Sequence, residues 1–283
     1  MEEYNLRILQ AKQAIKQADY IIIGAGAGLS TAAGLLYSGE RFEIDFKEFI
    51  EKYHFEDLYS ASFYDFKTQE EKWAFFAKMI KLNRYNDKPL KLYQELYEIV
   101  KGKEYFVLST NVDGQFYNSG FDKNKVFEVQ GDYCYLQCEK ACHNKLYNNG
   151  DLVEKWLQNT KNCQIPSNLV MKCPVCGGNM EMNLRKDANF VQDENWYKQS
   201  EKYEKFLEKT KNENVVLLEI GVGFNTPGII RFPFEQMVSN NSKTTLIRIN
   251  KDYPLPMLDI ESRAILFDED TNKIIEDLKQ IVI

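Results

Sequence analysis

No stretch of this chain approaches the roughly 18 consecutive apolar residues that a membrane-spanning helix needs. Its longest apolar runs, such as Val215–Leu218, have the length of buried strands. A basic excess is missing as well: 36 Lys and Arg stand against 42 Asp and Glu, a formal charge of −6 with a pI near 5.3. That balance argues against general nucleic-acid binding, which uses a basic face, though it leaves room for a local basic pocket. The opening residues MEEYNLRILQ lack the basic region and apolar run of a secretory signal, so the cytoplasm is the expected location. No internal repeat or low-complexity tract is evident. What is present is core-forming material, 44% hydrophobic and 13% aromatic residues in 283, which excludes disorder for most of the chain and leaves one large domain or a core plus a small module.

The six cysteines fit metal ligation better than disulfides, given the length and the absence of an export signal. Cys138-x3-Cys142 is followed about thirty residues later by Cys173-Pro174-Val175-Cys176-Gly177-Gly178. Two close thiolate pairs suit tetrahedral zinc, and a site closed by four thiolates is structural rather than catalytic. The Cys-Pro-x-Cys-Gly-Gly turn reads as a knuckle whose glycines free backbone N–H groups to point at sulfur. Cys134 and Cys163 are left as free thiols. His143 is an alternative ligand to Cys142, and His54 is expected on a surface or packed helix with no chemical role.

Asn5–Ala18 has helical spacing, and Tyr20–Ile23 is a short run of strand formers that breaks into Gly24-Ala25-Gly26-Ala27-Gly28. Residues 40–84, rich in Phe, Tyr and Lys, predict a helical insertion over that glycine loop. Pro89 opens a further helix with Leu92, Leu96, Ile99 and Val100 inward, stopped at Gly102. Tyr105–Leu108, Val126–Val129, Val215–Ile220, Thr244–Ile249 and Ala264–Phe267 read as strands, with helices from Pro227 and over Thr271–Ile281. Strands alternating with helices predict an α/β fold built on a parallel, Rossmann-like sheet. Residues 1–132 and 186–283 would form that domain. Residues 133–185, with every cysteine and few periodic apolar residues, would form a small zinc-ribbon module held by something other than its own core.

A strand that ends in a glycine loop and enters a helix presents backbone N–H groups to a pyrophosphate, or else is simply a tight packing turn. A dinucleotide dehydrogenase would carry an acid about 20 residues further on, at the end of a second strand. Glu43 and Asp45 lie near that distance but in helical sequence, which counts against a dehydrogenase. Ser109-Thr110-Asn111-Val112-Asp113-Gly114-Gln115 sits at a strand's carboxyl end, where open α/β sheets bind ligands, and in an extended backbone Asn111 and Asp113 face the same way. A turn cap is the plain alternative.

Several of these motifs together resemble the sirtuins. Gly26–Leu35 is similar to the family's G-A-G-I-S-x-x-A-G-I signature, Thr110–Asp113 to its Q-N-I-D, and Gln130-Gly131 stands where sirtuins carry His-Gly. The cysteine module, Leu184-Arg185, Gly221–Asn225 and Ile249-Asn250 follow in the family's order, from about Ala18 to the end. The chain also departs from the pattern. Leu35-Leu36-Tyr37-Ser38-Gly39-Glu40-Arg41-Phe42 replaces the usual I-P-D-F-R segment, Thr110 replaces Gln, and Gln130 replaces the catalytic His. These departures resemble the macrodomain-linked (class M) microbial branch. That resemblance implies protein ADP-ribosylation, a lipoylated carrier protein of glycine-cleavage type as acceptor, and a macrodomain hydrolase as functional partner.

The resemblance also implies a site. NAD, consumed as substrate, would be bound by Ala25, Gly26, Ala27, Gly28, Ser30, Gly34, Leu35, Tyr37, Arg41, Thr110, Asn111, Asp113, Gln130, Arg185, Gly221, Val222, Gly223, Phe224, Asn225, Thr226 and Asn250. Asp113 would bind the nicotinamide carboxamide, Asn111 would orient the ribose and the attacking group, and Ser30 with the 26–28 loop would hold the pyrophosphate. Gly221–Thr226 and Asn250 would line the adenosine side, with the Val222 and Phe224 side chains packed there. Arg185 has three readings, a contact to the acceptor, a contact to NAD or a structural salt bridge, and Arg41 is a candidate for the nicotinamide-side loop. A sirtuin deacylase uses its imidazole as a general base, a contribution of about 10²–10⁴-fold. The Gln130 amide can hold a ribose hydroxyl but cannot take its proton. Direct attack by a protein side chain on the sugar carbon is therefore the expected outcome, with Asn111, Asp113 and Gln130 as the catalytic set. Deacylation, NAD hydrolysis and a silent NAD sensor are the rival readings.

Overall fold

Ile21 and Ile23 turn to one face of a parallel sheet and Ile22 to the other, as the alternation of a strand requires. In the computed structural model, which describes residues 2–35, 38–85 and 88–280, the strands are β1 (Tyr20–Ala25), β2 (Glu104–Ser109), β3 (Val126–Glu128), β4 (Gly131–Cys138), β5 (Tyr147–Asn148), β6 (Met180–Leu184), β7 (Val215–Ile220), β8 (Thr244–Ile249) and β9 (Ala264–Phe267). Two compact units make up the chain. Met1–Ala33, Lys88–Gln130 and Asn195–Ile283 form the first; Gly34–Asp87 and Gly131–Glu194 form the second.

The first unit holds a six-stranded parallel sheet in the order β3-β2-β1-β7-β8-β9, the order of a Rossmann fold. Helices Glu2–Gln17, Lys91–Val100 and Thr271–Lys279 contribute Ile8, Leu96 and Ile275 to the core on one face. Helices Glu194–Lys209 and Arg231–Asn240 contribute Phe206 and Phe234 to the core on the other. Strand order reverses between β1 and β7, so the carboxyl ends of these two strands frame the crevice where such sheets take ligands. Pro89 precedes the Lys91–Val100 helix instead of opening it, because Leu90 occupies the N-cap position. The helix expected from Pro227 begins at Arg231, and Ile281 lies outside the described residues.

The second unit joins the helices of residues 40–83 to the cysteine module through a shared core. Trp73, on the helix Gln69–Asn83, stacks on Trp156 of the helix Gly150–Asn159, ring centres 4.9 Å apart and both rings fully buried. Lys72 Nζ reaches Glu181 Oε2 on β6 at 2.8 Å, and Arg84 Nε reaches Asp132 Oδ1 on β4 at 2.7 Å. The module therefore shares part of its apolar burial with the helical region. Its amphipathic helix is short and carries one tryptophan, too little to stand out as a period in sequence. The antiparallel sheet runs β5-β4-β6. Among the described residues, no helix is long and apolar enough to cross a membrane.

Candidate active site

β1 ends at Ala25, two residues into the predicted glycine loop, and the chain turns through Gly26 into a short helix, Ala27–Ala32. The carboxyl end of β7 comes directly against this turn. Gly28 N–H donates to the Gly221 carbonyl at 3.0 Å and Gly26 N–H to the Ile220 carbonyl at 3.0 Å. A Cβ at Gly26 would lie 2.5 Å from the Gly221 oxygen, and one at Gly28 would lie 2.7 Å from the Gly221 Cα. Gly221 itself has φ +63°, a left-handed conformation that favours glycine. These glycines let two backbones cross, so part of the motif is packing after all. Leu29 N–H is also engaged, by the Gly26 carbonyl, which leaves Ala27 N–H outside these bonds.

β2 delivers the polar residues. Thr110 Oγ1 donates to the Ala25 carbonyl at 3.2 Å, which ties the end of β2 to the end of β1. Asn111 and Asp113 are both buried, and both reach Ser30 of the short helix. Ser30 Oγ donates to Asp113 Oδ2 at 2.5 Å, and Asn111 Nδ2 donates to Ser30 Oγ and to the Gly26 carbonyl, each at 3.0 Å. A fourth member, Tyr93, was not anticipated. Its hydroxyl lies 2.8 Å from Ser30 Oγ and 3.3 Å from Asn111 Nδ2. Helical spacing could have found it, since Tyr93 stands three residues before Leu96 and seven before Val100 on the same inward face.

Gln130 follows β3, and its Nε2 donates to Thr226 Oγ1 at 3.0 Å. Val222 turns its side chain into the core beneath β7, whereas Gly223, Phe224, Asn225 and Thr226 are exposed. Phe224 meets Tyr253 edge-on, ring centres 5.1 Å apart. Asn250 is buried: its Nδ2 donates to the Val222 carbonyl at 2.8 Å, and its Oδ1 accepts the N–H groups of Asp252 and Tyr253. The structure thus brings together, within the first unit, Ser30, Asn111 and Asp113 at one end of the crevice edge and Gly221 with Asn250 at the other.

The remaining expected residues belong to the second unit. Gly34 has φ +98°, and Leu35 is buried. Arg41 donates to the carbonyls of Gly34 at 2.9 Å and Leu82 at 3.0 Å, so its guanidinium fastens the helical region. Arg185, just past β6, is exposed and bonds to none of the described residues. Tyr37 lies outside the described residues. His54 is exposed and ends its helix in a left-handed turn.

Cys138, Cys142, Cys173 and Cys176 place their sulfurs within 4.8 Å of one another, a donor set suited to one structural zinc. The knuckle works somewhat differently from the expectation. The N–H groups that point at the Cys173 sulfur are those of Cys176 and Val175, and their donation draws its thiol down to about 6. Gly177 contributes its left-handed φ of +71° and returns its own N–H to the Cys173 carbonyl. His143 Nδ1 lies 3.1 Å from Cys142 Sγ while its Nε2 meets the Tyr147 hydroxyl at 2.9 Å, so the ring flanks the cluster. Cys134 and Cys163 are both buried, outside the four-cysteine cluster, and neither is in a disulfide.

No family model matches the chain. A protein ADP-ribosyltransferase of Staphylococcus aureus (strain Mu50 / ATCC 700699) is 37% identical over 278 residues, 97% of this chain and 88% of that one. The chain belongs to the protein ADP-ribosyltransferases. A probable bifunctional ADP-ribose hydrolase/ADP-ribosyltransferase of Fusarium oxysporum f. sp. cubense is 32% identical over 253 residues, 84% of this chain but 41% of that longer protein. The fold of this transferase is that of the sirtuins. A Sir2 homologue solved as an NAD complex superposes with a TM-score of 0.61 at 15% identity, over 96% of this chain and 92% of that one. A Sir2 homologue mutant bound to ADP-ribose gives 0.59 at 14% identity, over 96% and 94%.

The transferase also carries a buried charge cluster that sequence reading missed. Arg248 on β8 pairs with Glu219 on β7 at 2.8 Å and with Glu235 at 2.7 Å, all three at or below 1% exposure. Glu235 Oε2 accepts the N–H groups of Met257 and Leu258, and Arg231 Nη2 donates to the carbonyls of Tyr253 and Leu255. The cluster thereby pins the loop that follows Asn250. Removing one partner of such a set leaves a buried charge uncompensated, at about 3–5 kcal/mol.

Proposed function

We propose that this transferase moves ADP-ribose from NAD to a protein side chain at the carboxyl edge of its parallel sheet, with Asn111, Asp113 and Gln130 at the reacting end. The observation that carries the reading is Gln130. Its Nε2 is engaged by Thr226, which leaves Oε1 as an acceptor for a ribose hydroxyl, and an amide has no proton-accepting group near neutral pH. Acyl transfer to the sugar needs that hydroxyl deprotonated; attack at the sugar carbon itself does not.

In this reading Asp113 receives the nicotinamide carboxamide and Asn111 lies beside the ribose and the attacking group. In the 26–28 loop Ala27 N–H takes the pyrophosphate, the Ser30 hydroxyl proton being committed to Asp113, and Gly221–Thr226 with Asn250 line the adenosine side. The acceptor is a lipoylated carrier protein of glycine-cleavage type, an assignment that rests on the resemblance to class M sirtuins. A separate hydrolase removes the modification. The fungal relative, whose name joins an ADP-ribose hydrolase to an ADP-ribosyltransferase in one protein, supports that pairing.

The test is incubation with NAD labelled in the adenylate and a purified lipoylated carrier protein. Label should become covalent on the carrier, and Asn111→Ala should abolish this with only a modest loss of NAD affinity, because its role lies at the reacting centre. Free ADP-ribose as the sole product, or an undiminished Asn111→Ala enzyme, would overturn the reading.

A further inference from the structure

Ser30, Tyr93, Asn111 and Asp113 form one buried cluster, and counting its protons shows which way each bond runs. Ser30 has a single hydroxyl proton, and a carboxylate can only accept. Asp113 Oδ2 at 2.5 Å therefore takes that proton. The Tyr93 hydroxyl, 2.8 Å from the same serine oxygen, must then be the donor in its bond to Ser30. Asn111 Nδ2 has two protons. One goes to the Gly26 carbonyl at 3.0 Å, and the other is shared between Ser30 Oγ at 3.0 Å and the Tyr93 oxygen at 3.3 Å. The amide is thus gripped entirely from its nitrogen side, and Oδ1 carries none of these bonds. Tyr93 is 0% exposed. Burial, reinforced by the Asp113 carboxylate and more weakly by Glu128, pushes its phenol well above the ordinary tyrosine range. It acts in this cluster as a neutral donor and acceptor and never as a base.

We propose that Tyr93 is a positioning residue for ADP-ribose transfer: its hydroxyl holds the Asn111 carboxamide in the one orientation that presents Oδ1 to the reacting sugar carbon. The proposal rests on the reading of Asn111 as a reacting-centre residue. Its physical content is electrostatic. The sugar carbon gains positive charge as its bond to nicotinamide stretches, and the oxygen end of a fixed amide dipole stabilises that charge without reorganisation. A flipped amide would set Oδ1 against the Gly26 carbonyl and the serine and tyrosine lone pairs, and would aim N–H donors at the cationic centre. Tyr93 lowers the population of the flipped form by supplying an acceptor that only nitrogen can use, and by orienting the serine lone pair beside it.

Tyr93→Phe removes this hydroxyl while keeping the ring that meets Phe116 edge-on at 5.0 Å. With labelled NAD and the lipoylated carrier protein, it should lower kcat about tenfold, a loss confined to the transition state, and leave NAD affinity and the unfolding midpoint close to wild type. An unchanged kcat, or a loss of NAD affinity with kcat intact, would overturn the proposal. Asn111→Ala separates the two levels. If it keeps transfer activity, the reading of the site fails and this proposal with it; if it is inactive while Tyr93→Phe turns over normally, the Tyr93 proposal alone fails. A second measurement needs no Tyr93 variant to fold. In wild-type protein the Asn111 side-chain NH2 resonances, assigned by their loss in Asn111→Ala, should exchange with solvent far more slowly than a free carboxamide. Free-amide exchange there would equally overturn the proposal.

Discussion

Replacing Gly221 by alanine tests whether the crossing of two backbones organises the crevice. The added Cβ would lie 2.4 Å from Leu29 N and 2.5 Å from Gly28 Cα, both backbone atoms. Ordinary carbon contacts are about 3.5–4.0 Å, so the two turns must part by roughly 1 Å. The left-handed φ of +63° adds a second penalty, about 1–2 kcal/mol for a residue with a Cβ. Forcing extra volume into a packed contact adds about 1–3 kcal/mol. Together that is about 2–5 kcal/mol, or roughly 5–15 °C in the unfolding midpoint at the sensitivity of a domain this size. Two controls divide the penalty. Gly34→Ala has the positive φ, +98°, but no described atom within 4 Å of the new methyl, so it should show the backbone part alone. Gly223→Ala has neither feature and should stay within about 0.5 kcal/mol of wild type. Thermal unfolding followed by circular dichroism reads the stability, and calorimetric titration with NAD reads the site. A 1 Å displacement in a reacting constellation can lower activity about a hundredfold, so NAD affinity and transfer should both fall in Gly221→Ala. A Gly221→Ala protein that unfolds with wild-type behaviour and binds NAD normally would refute the reasoning.

Other perturbations probe separate parts of the molecule. Elemental analysis should find one zinc per chain on the four-cysteine cluster, and a strong chelator should lower the unfolding midpoint sharply, since closed thiolate sites contribute folding energy directly; zinc-free protein of unchanged stability would contradict this. Burial pushes the Glu181 carboxyl up, but Lys72 at 2.8 Å and Lys186 at 2.6 Å outweigh it and hold it below the usual range. A depressed carboxylate stabilises the fold above its unfolded value, about 4.3, and that contribution disappears as pH falls through the folded value. Glu181→Gln should therefore cost about 1–3 kcal/mol near neutrality and flatten the acid limb of stability measured by urea unfolding; an unaltered limb would count against the pairing. Gln130→His restores a titratable ring at the deacylase position, yet should yield little acetyl-lysine hydrolysis, because Thr110 and the segment after Leu35 also differ from deacylases. Robust deacetylation by the wild-type enzyme, at a rate comparable to transfer, would remove the argument from the missing imidazole.

What was legible in sequence was local. The bounds of β7, β8 and β9 could be read directly, because strands of a parallel sheet carry short runs rich in branched apolar residues, set off from the polar segments around them. The zinc ligands were legible because thiolate pairs at close spacing have few other uses in a chain of this kind. The order of motifs put Asn111 and Asp113 at the carboxyl end of β2, where the structure sets both against Ser30. What only tertiary structure decided is where contact partners lie far apart along the chain. Gly26 and Gly28 read as a ligand cradle until Gly221 arrived across the sheet to occupy much of that space. Tyr93 read as one more core residue of a helix until the fold set its hydroxyl beside Ser30 and Asn111. Trp73 and Trp156 sat in segments that looked unrelated, and Arg41 looked free to meet a ligand until the helical region folded around it. Glu219 and Arg248 interrupted otherwise apolar strands and could be reconciled with burial only once each supplied the other's counter-charge. Periodicity and spacing report which face a side chain takes. They carry no information about which distant backbone or side chain will meet it there, and in this protein that meeting decides the geometry of the site.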